Sequence, residues 1–110
     1  MARTRTYSTL ALEAARLLGR QIKLARKQRK WSESELATRA GISRYTVQKI
    51  ERGDMTCALG LVVETASLVG IDLFEAEASP LARQARAVDD RIALLPKSTH
   101  KQRKAVDDDF

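Results

Sequence analysis

The chain has 110 residues, 44% of them hydrophobic and only 5% aromatic, with a formal net charge of +6. That size and balance fit one small, helix-rich globular domain with tails rather than a disordered chain. No apolar run approaches the roughly 18 to 20 residues of a membrane span, and no charged-then-apolar leader opens the sequence, so a cytoplasmic protein is expected.

Residues 1–9 are polar and read as a flexible N-terminus. From Leu10 to Arg29, the side chains Leu10, Ala14, Leu18, Ile22 and Ala25 recur at spacings of three and four, and Arg and Lys fill the other positions. This predicts an amphipathic first helix with those five on its buried face. It ends in "RKQRK", whose cations suit the negative end of a helix dipole. Ser32 followed by Glu35 is a capping box, with Leu36, Ala37 and Ala40 as the apolar face and Gly41 as a left-handed stop; a second helix over about 33–40 follows. Ser43 is placed to cap a third helix, which Val47 and Ile50 give a narrow buried stripe and Gly53 ends.

Arg44, Tyr45, Gln48 and Lys49 fall outside that stripe. Two short helices joined by a three- to four-residue turn containing Gly form a helix-turn-helix unit, and a polar, cationic second helix is what groove reading requires. The run "ALGLVVETASLV", 58–69, predicts a fourth, mostly buried helix that closes the bundle. Ser79-Pro80 opens a fifth helix, and Leu95-Pro96 ends it. The domain plan is therefore 10–78 for the helix-turn-helix domain, 79–95 for the fifth helix as a candidate for dimerisation, and 96–110 for a disordered, charged tail.

Charge divides unevenly along this plan. Residues 1–53 carry 13 Lys/Arg against 4 Asp/Glu, residues 54–95 carry 3 against 7, and residues 96–110 carry 4 against 3. The first half is where a polyanion would sit, although a basic face alone also suits an anionic membrane surface.

Over residues 18–74 the string "LGRQIKLARKQRKWSESELATRAGISRYTVQKIERG", followed by "LVVETASLVGIDLF", resembles the lambda-repressor and Cro-like helix-turn-helix family, also called the XRE family. The elements "ELA", "AGIS", "IERG" and "LVGI" occur in the family's order. The resemblance implies an all-α fold of four or five helices and no cofactor. It implies that the third helix reads DNA bases through Arg44, Tyr45, Gln48 and Lys49. Arg suits guanine O6 and N7, Gln suits adenine, and Tyr suits a phosphate or a thymine methyl. Phosphate contacts are expected from Ser32, Ser34, Ser43, Thr46, Lys27, Arg39 and Arg52. Arg26 and Glu51 match an ion pair that braces the motif in the family. The sequence departs at Glu33, where the family commonly has a phosphate-facing Gln, and in "GDMTCALG", which lacks the family's frequent proline.

The function expected is sequence-specific binding of double-stranded DNA by a dimeric regulator, a repressor, on an inverted repeat with half-sites about 34 Å apart. Leu73, Phe74, Leu81, Val88, Ile92 and Leu94 supply either the dimer surface or intramolecular core. The alternative is a HipB-type antitoxin, which the layout of a compact domain and charged tail resembles, with a HipA-type toxin as partner. There Asp107, Asp108 and Asp109 would complement a basic pocket and Phe110 would anchor the tail. The acidic end is also suited to fold back on the basic face and compete with DNA. An enzyme is not expected: His100 is the one histidine and has no nucleophile or carboxylate arranged around it. Cys57 alone gives neither a disulfide nor a metal-ligand set, so no metal is expected.

Overall fold

The computed structural model describes residues 5–98, and within them the secondary structure is all helical. In order these are α1 (Thr9–Gln28), α2 (Glu33–Ala40), α3 (Arg44–Arg52), α4 (Leu59–Leu68) and α5 (Leu81–Ala93). The all-α, lambda-repressor-like architecture expected from the sequence is the one observed. The chain divides into two compact units, Met1–Leu73 and Phe74–Phe110. No helix among the described residues is long and apolar enough to cross a membrane. His100 and the tail residues Asp107, Asp108, Asp109 and Phe110 lie outside the described residues.

In the first unit the ends of the helices are set by local chemistry. Ser8, Ser32 and Ser43 each accept, through Oγ, the backbone N–H three residues on, at 3.0 to 3.1 Å, and so cap α1, α2 and α3. The Glu35 carboxylate pairs with Arg39 at 3.6 Å. At the other ends, Trp31, Ile42, Asp54 and Ile71 donate their N–H to the carbonyl five residues back, the six-to-one bond of a Schellman motif. The left-handed residue this needs is a glycine after α2, α3 and α4, but after α1 it is Lys30, at φ 62°.

α3 packs on α1 and α2, and α2 packs on α4. The core between them is Ile22, Leu36, Ala37, Val47, Ile50, Ala66 and Val69, with Leu18, Ala25, Trp31, Ile42, Cys57, Val62, Leu68 and Ile71 partly buried around it. α1 and α3 approach closely because one partner at the crossing has no side chain. A Cβ on Gly19 would stand 2.5 Å from the Ile50 carbonyl oxygen and 2.6 Å from that of Glu51. Backbone cannot yield there as a flexible side chain can, so any larger residue pushes α3 off α1.

Two expectations are corrected. The buried face of α1 is Gly19, Ile22 and Arg26, and the first turns stand in solvent: Leu10 and Ala14 are exposed. Among the described residues the core and its rim begin on α1 at Leu18, so the periodicity before it has no core to face. α4 is not mostly buried either. It buries Thr65 and Ala66, whereas Leu59, Leu61 and Val63 are exposed, because only one side of the helix meets the core. The loop before α4, which lacks the proline, is closed by Asp54, whose Oδ1 accepts from the Thr56 N–H at 2.8 Å and from its hydroxyl. Those bonds hold the Asp54 carboxyl below its usual pKa. Burial pushes the Cys57 thiol up.

In the second unit, α5 follows Pro80, and Gln84 Nε2 donates to the carbonyls of Ser79 and Phe74 at 2.9 and 3.0 Å. α5 buries no residue: Leu81, Val88, Ile92 and Leu94 are all at least half exposed, and so is Phe74. Among the described residues of the second unit, therefore, they form no buried core.

Candidate nucleic-acid interface

The platform for α3 is a buried ion pair. Arg26 donates from Nε to Glu51 Oε2 at 2.7 Å and from Nη2 to Oε1 at 3.1 Å, with both side chains about 95% buried. Its Nη1 donates to the Trp31 carbonyl at 2.9 Å, so the same guanidinium ties α1 to α3 and to the turn before α2. The hydrogen bond to Glu51 is the main cause of the raised Arg26 pKa, ahead of the opposing effect of burial. A two-pronged contact of this kind fixes the orientation of α3 as well as its distance.

Val47 and Ile50 turn inward beneath this pair, which leaves the remaining α3 positions outside. Arg44 and Tyr45 are exposed at the start of the helix, and Gln48 and Lys49 are half-buried one turn on. The Lys49 Nζ lies 5.6 Å from the Tyr45 ring centroid. Ser43 and Thr46 hold each other, Oγ to Oγ1, at 2.9 Å. The contact that sequence reasoning did not anticipate comes from α2. Glu33 Oε1 accepts from Arg44 Nε at 3.1 Å and from Gln48 Nε2 at 2.9 Å. These two bonds, Gln48 first, hold the Glu33 carboxyl below the usual glutamate range.

Glu33 and Gln48 also line a shallow polar cleft with Arg20, Lys23, Glu51 and Arg52. Arg20 and Lys23 were missed as candidates, although with Lys27 they follow the three-and-four spacing of one α1 face. Lys27 is exposed. The "RKQRK" cluster is thus divided, since Arg26 and Arg29 serve the fold. Arg29 donates from Nε to the Val69 carbonyl at 3.1 Å. Arg39 stacks on Trp31, 4.2 Å from the ring centroid, while paired with Glu35. Ser32 uses Oγ as the acceptor of a cap, which leaves its hydroxyl hydrogen for an outside acceptor, whereas the Ser43 hydroxyl is shared with that of Thr46. Ser34 lies in the first turn of α2, where its carbonyl accepts from the Thr38 hydroxyl.

Residues 22–73, which hold all of this arrangement except Arg20, match the family model described as Helix-turn-helix. That segment is thus similar to helix-turn-helix domains. The chain is also 30% identical, over 86 residues, to the uncharacterized HTH-type transcriptional regulator y4dL of Sinorhizobium fredii (strain NBRC 101917 / NGR234). The aligned part covers 78% of this chain and 44% of that relative, so the chain spans under half the relative's length. The cleft beside α3 carries the cations Arg20, Lys23 and Arg52, and among the described residues no cluster of His, Cys, Asp and Glu is arranged to hold a metal ion.

Proposed function

We propose that the chain is a sequence-specific, double-stranded DNA-binding regulator that represses as a dimer, with α3 in the major groove. The observation that carries this reading is the exposure of Arg44 and Tyr45 at the start of a helix braced from behind by the Arg26–Glu51 pair. Arg20, Lys23 and Arg52 border the same face, where they meet phosphates while α3 meets base edges. A single such helix spans few base pairs, so two copies are needed on an inverted repeat. The exposed row Leu81, Ala85, Val88, Ile92 and Leu95 on and just after α5, spaced four and three in alternation, supports self-association.

The test is duplex selection from a randomised pool, followed by fluorescence anisotropy on the selected and a scrambled duplex. Arg44→Ala is expected to relax preference at one base pair per half-site, and Lys27→Ala to weaken both duplexes alike while lowering the salt slope by about one. No enrichment of any sequence by the wild-type chain overturns the reading. A protein retained stoichiometrically by the full chain, and lost on truncation after Leu95, would favour the antitoxin alternative instead.

A further inference from the structure

One acidic side chain stands on the face that α3 presents, and it is bonded to two of the four residues that base reading would use. Arg44 is 65% exposed, and a long exposed side chain ordinarily samples many rotamers. Here its Nε and the Gln48 Nε2 converge on a single oxygen of Glu33. We propose that Glu33 is a specificity-determining positioning residue: it holds Arg44 and Gln48 in one arrangement, opposes phosphate, and so makes the interface selective by weakening its grip on arbitrary DNA. This inference rests on the DNA-binding reading above.

Three features of the geometry support it. An ionised carboxylate only accepts, so the Gln48 amide must turn its NH2 group toward Glu33 and its carbonyl oxygen away, which fixes the donor and acceptor order it offers to a base. Arg44 is held through Nε, which leaves both terminal nitrogens for a two-pronged contact with guanine O6 and N7. The charge itself discriminates. A duplex that offers Arg44 no base partner still brings phosphates toward Glu33 and competes for an Arg44 already paired, whereas the right base pair uses the free edge of Arg44 without breaking that pair.

The decisive experiment compares the wild-type chain with Glu33→Gln, Glu33→Ala and the double variant Glu33→Ala/Arg44→Ala. Each is titrated on the selected and the scrambled duplex at two salt concentrations, with far-UV circular dichroism to verify folding. Glu33→Gln keeps hydrogen bonding and drops the charge, so it is expected to bind the scrambled duplex roughly three- to tenfold more tightly, with a salt slope steeper by about one. Glu33→Ala is expected to do the same and also to lose about tenfold of the preference at the base pair read by Arg44. In the double variant the preference should fall no further than in Arg44→Ala, since the residue being positioned is gone. A purely structural role would move neither the salt slope nor the base preference. Variants that match the wild type on both duplexes, or weaken both equally, overturn the inference and leave the DNA-binding reading in place. A wild-type chain that binds no duplex overturns that reading, and the inference with it.

Discussion

α3 and α5 are both amphipathic, yet they end in opposite conditions. α3 places Val47 and Ile50 in the core and closes its buried Glu51 with Arg26. α5, longer by four residues, buries none of its side chains. Amphipathicity states that a face is worth covering and is silent about what covers it. For α3 the covering element is in the same unit, supplied by α1 and α2. For α5, no other helix among the described residues of its own unit supplies a cover, and the apolar side chains stay at least half exposed.

The largest expected effect tests the enclosed side of that contrast. Arg26→Ala strands the Glu51 carboxylate in the core, and a buried charge without its partner costs about 3 to 5 kcal/mol. Arg91→Ala on α5 should stay within about 0.5 kcal/mol. Urea unfolding followed by circular dichroism measures both, and similar losses would erase the distinction. Next comes a matched apolar pair. Leu36, fully buried, should cost about 2 to 5 kcal/mol on replacement by Ala. Ile92→Ala, at 58% exposure, should cost little in a dilute monomer and more as the protein concentration rises if α5 pairs with a second copy. A large, concentration-independent cost at Ile92 would show that α5 is covered within its own chain.

What the sequence made legible was local. The capping serines Ser32 and Ser43, the glycine stops after α2 and α3, and the Val47 and Ile50 stripe are each specified within a few residues, and α2 and α3 lie where those signals put them, whereas the Ser8 cap of α1 falls in a stretch read as a flexible N-terminus. What escaped depends on which elements cross. Nothing in the spacing of α1 shows that Gly19 meets the carbonyls of Ile50 and Glu51, more than thirty positions on. Glu33 reads as a lone departure until α2 and α3 are set side by side and its partners turn out to be 11 and 15 residues away. The apolar run in α4 misled for the same reason, since its exposed Leu59, Leu61 and Val63 are as hydrophobic as core residues and differ only in lying on the side away from the core.

Smaller effects sharpen the account of the helix ends. Lys30 holds the left-handed position after α1 that glycine holds after α2, α3 and α4. A left-handed non-glycine residue costs roughly 1 to 2 kcal/mol, partly offset by the greater unfolded-state freedom of glycine. Lys30→Gly should therefore stabilise the first unit by about 0.5 to 1 kcal/mol, read as a rise in the urea midpoint at unchanged slope. A fall would mean that the Lys30 side chain contributes more to the α1–α2 turn than its strain removes.

The smallest effect is a pH dependence at the α2–α3 contact. Gln48 and Arg44 hold the folded-state pKa of Glu33 below the ordinary glutamate value, so the unfolded chain takes up the proton first as pH falls. The stabilisation is accordingly present in full above the ordinary glutamate range and is lost as pH falls through the lower, folded-state pKa. Both bonds lie near the surface, where water and salt screen them, so the slope should be shallow and should flatten further at high salt. Subtracting the acid limb of Glu33→Gln from that of the wild type isolates it, because the amide does not titrate. If the two limbs superimpose, Glu33 gains nothing from its partners in the folded state. If they part only below the ordinary glutamate range, and by less at high salt, then the carboxylate that orients Arg44 and Gln48 also contributes to keeping α2 and α3 together.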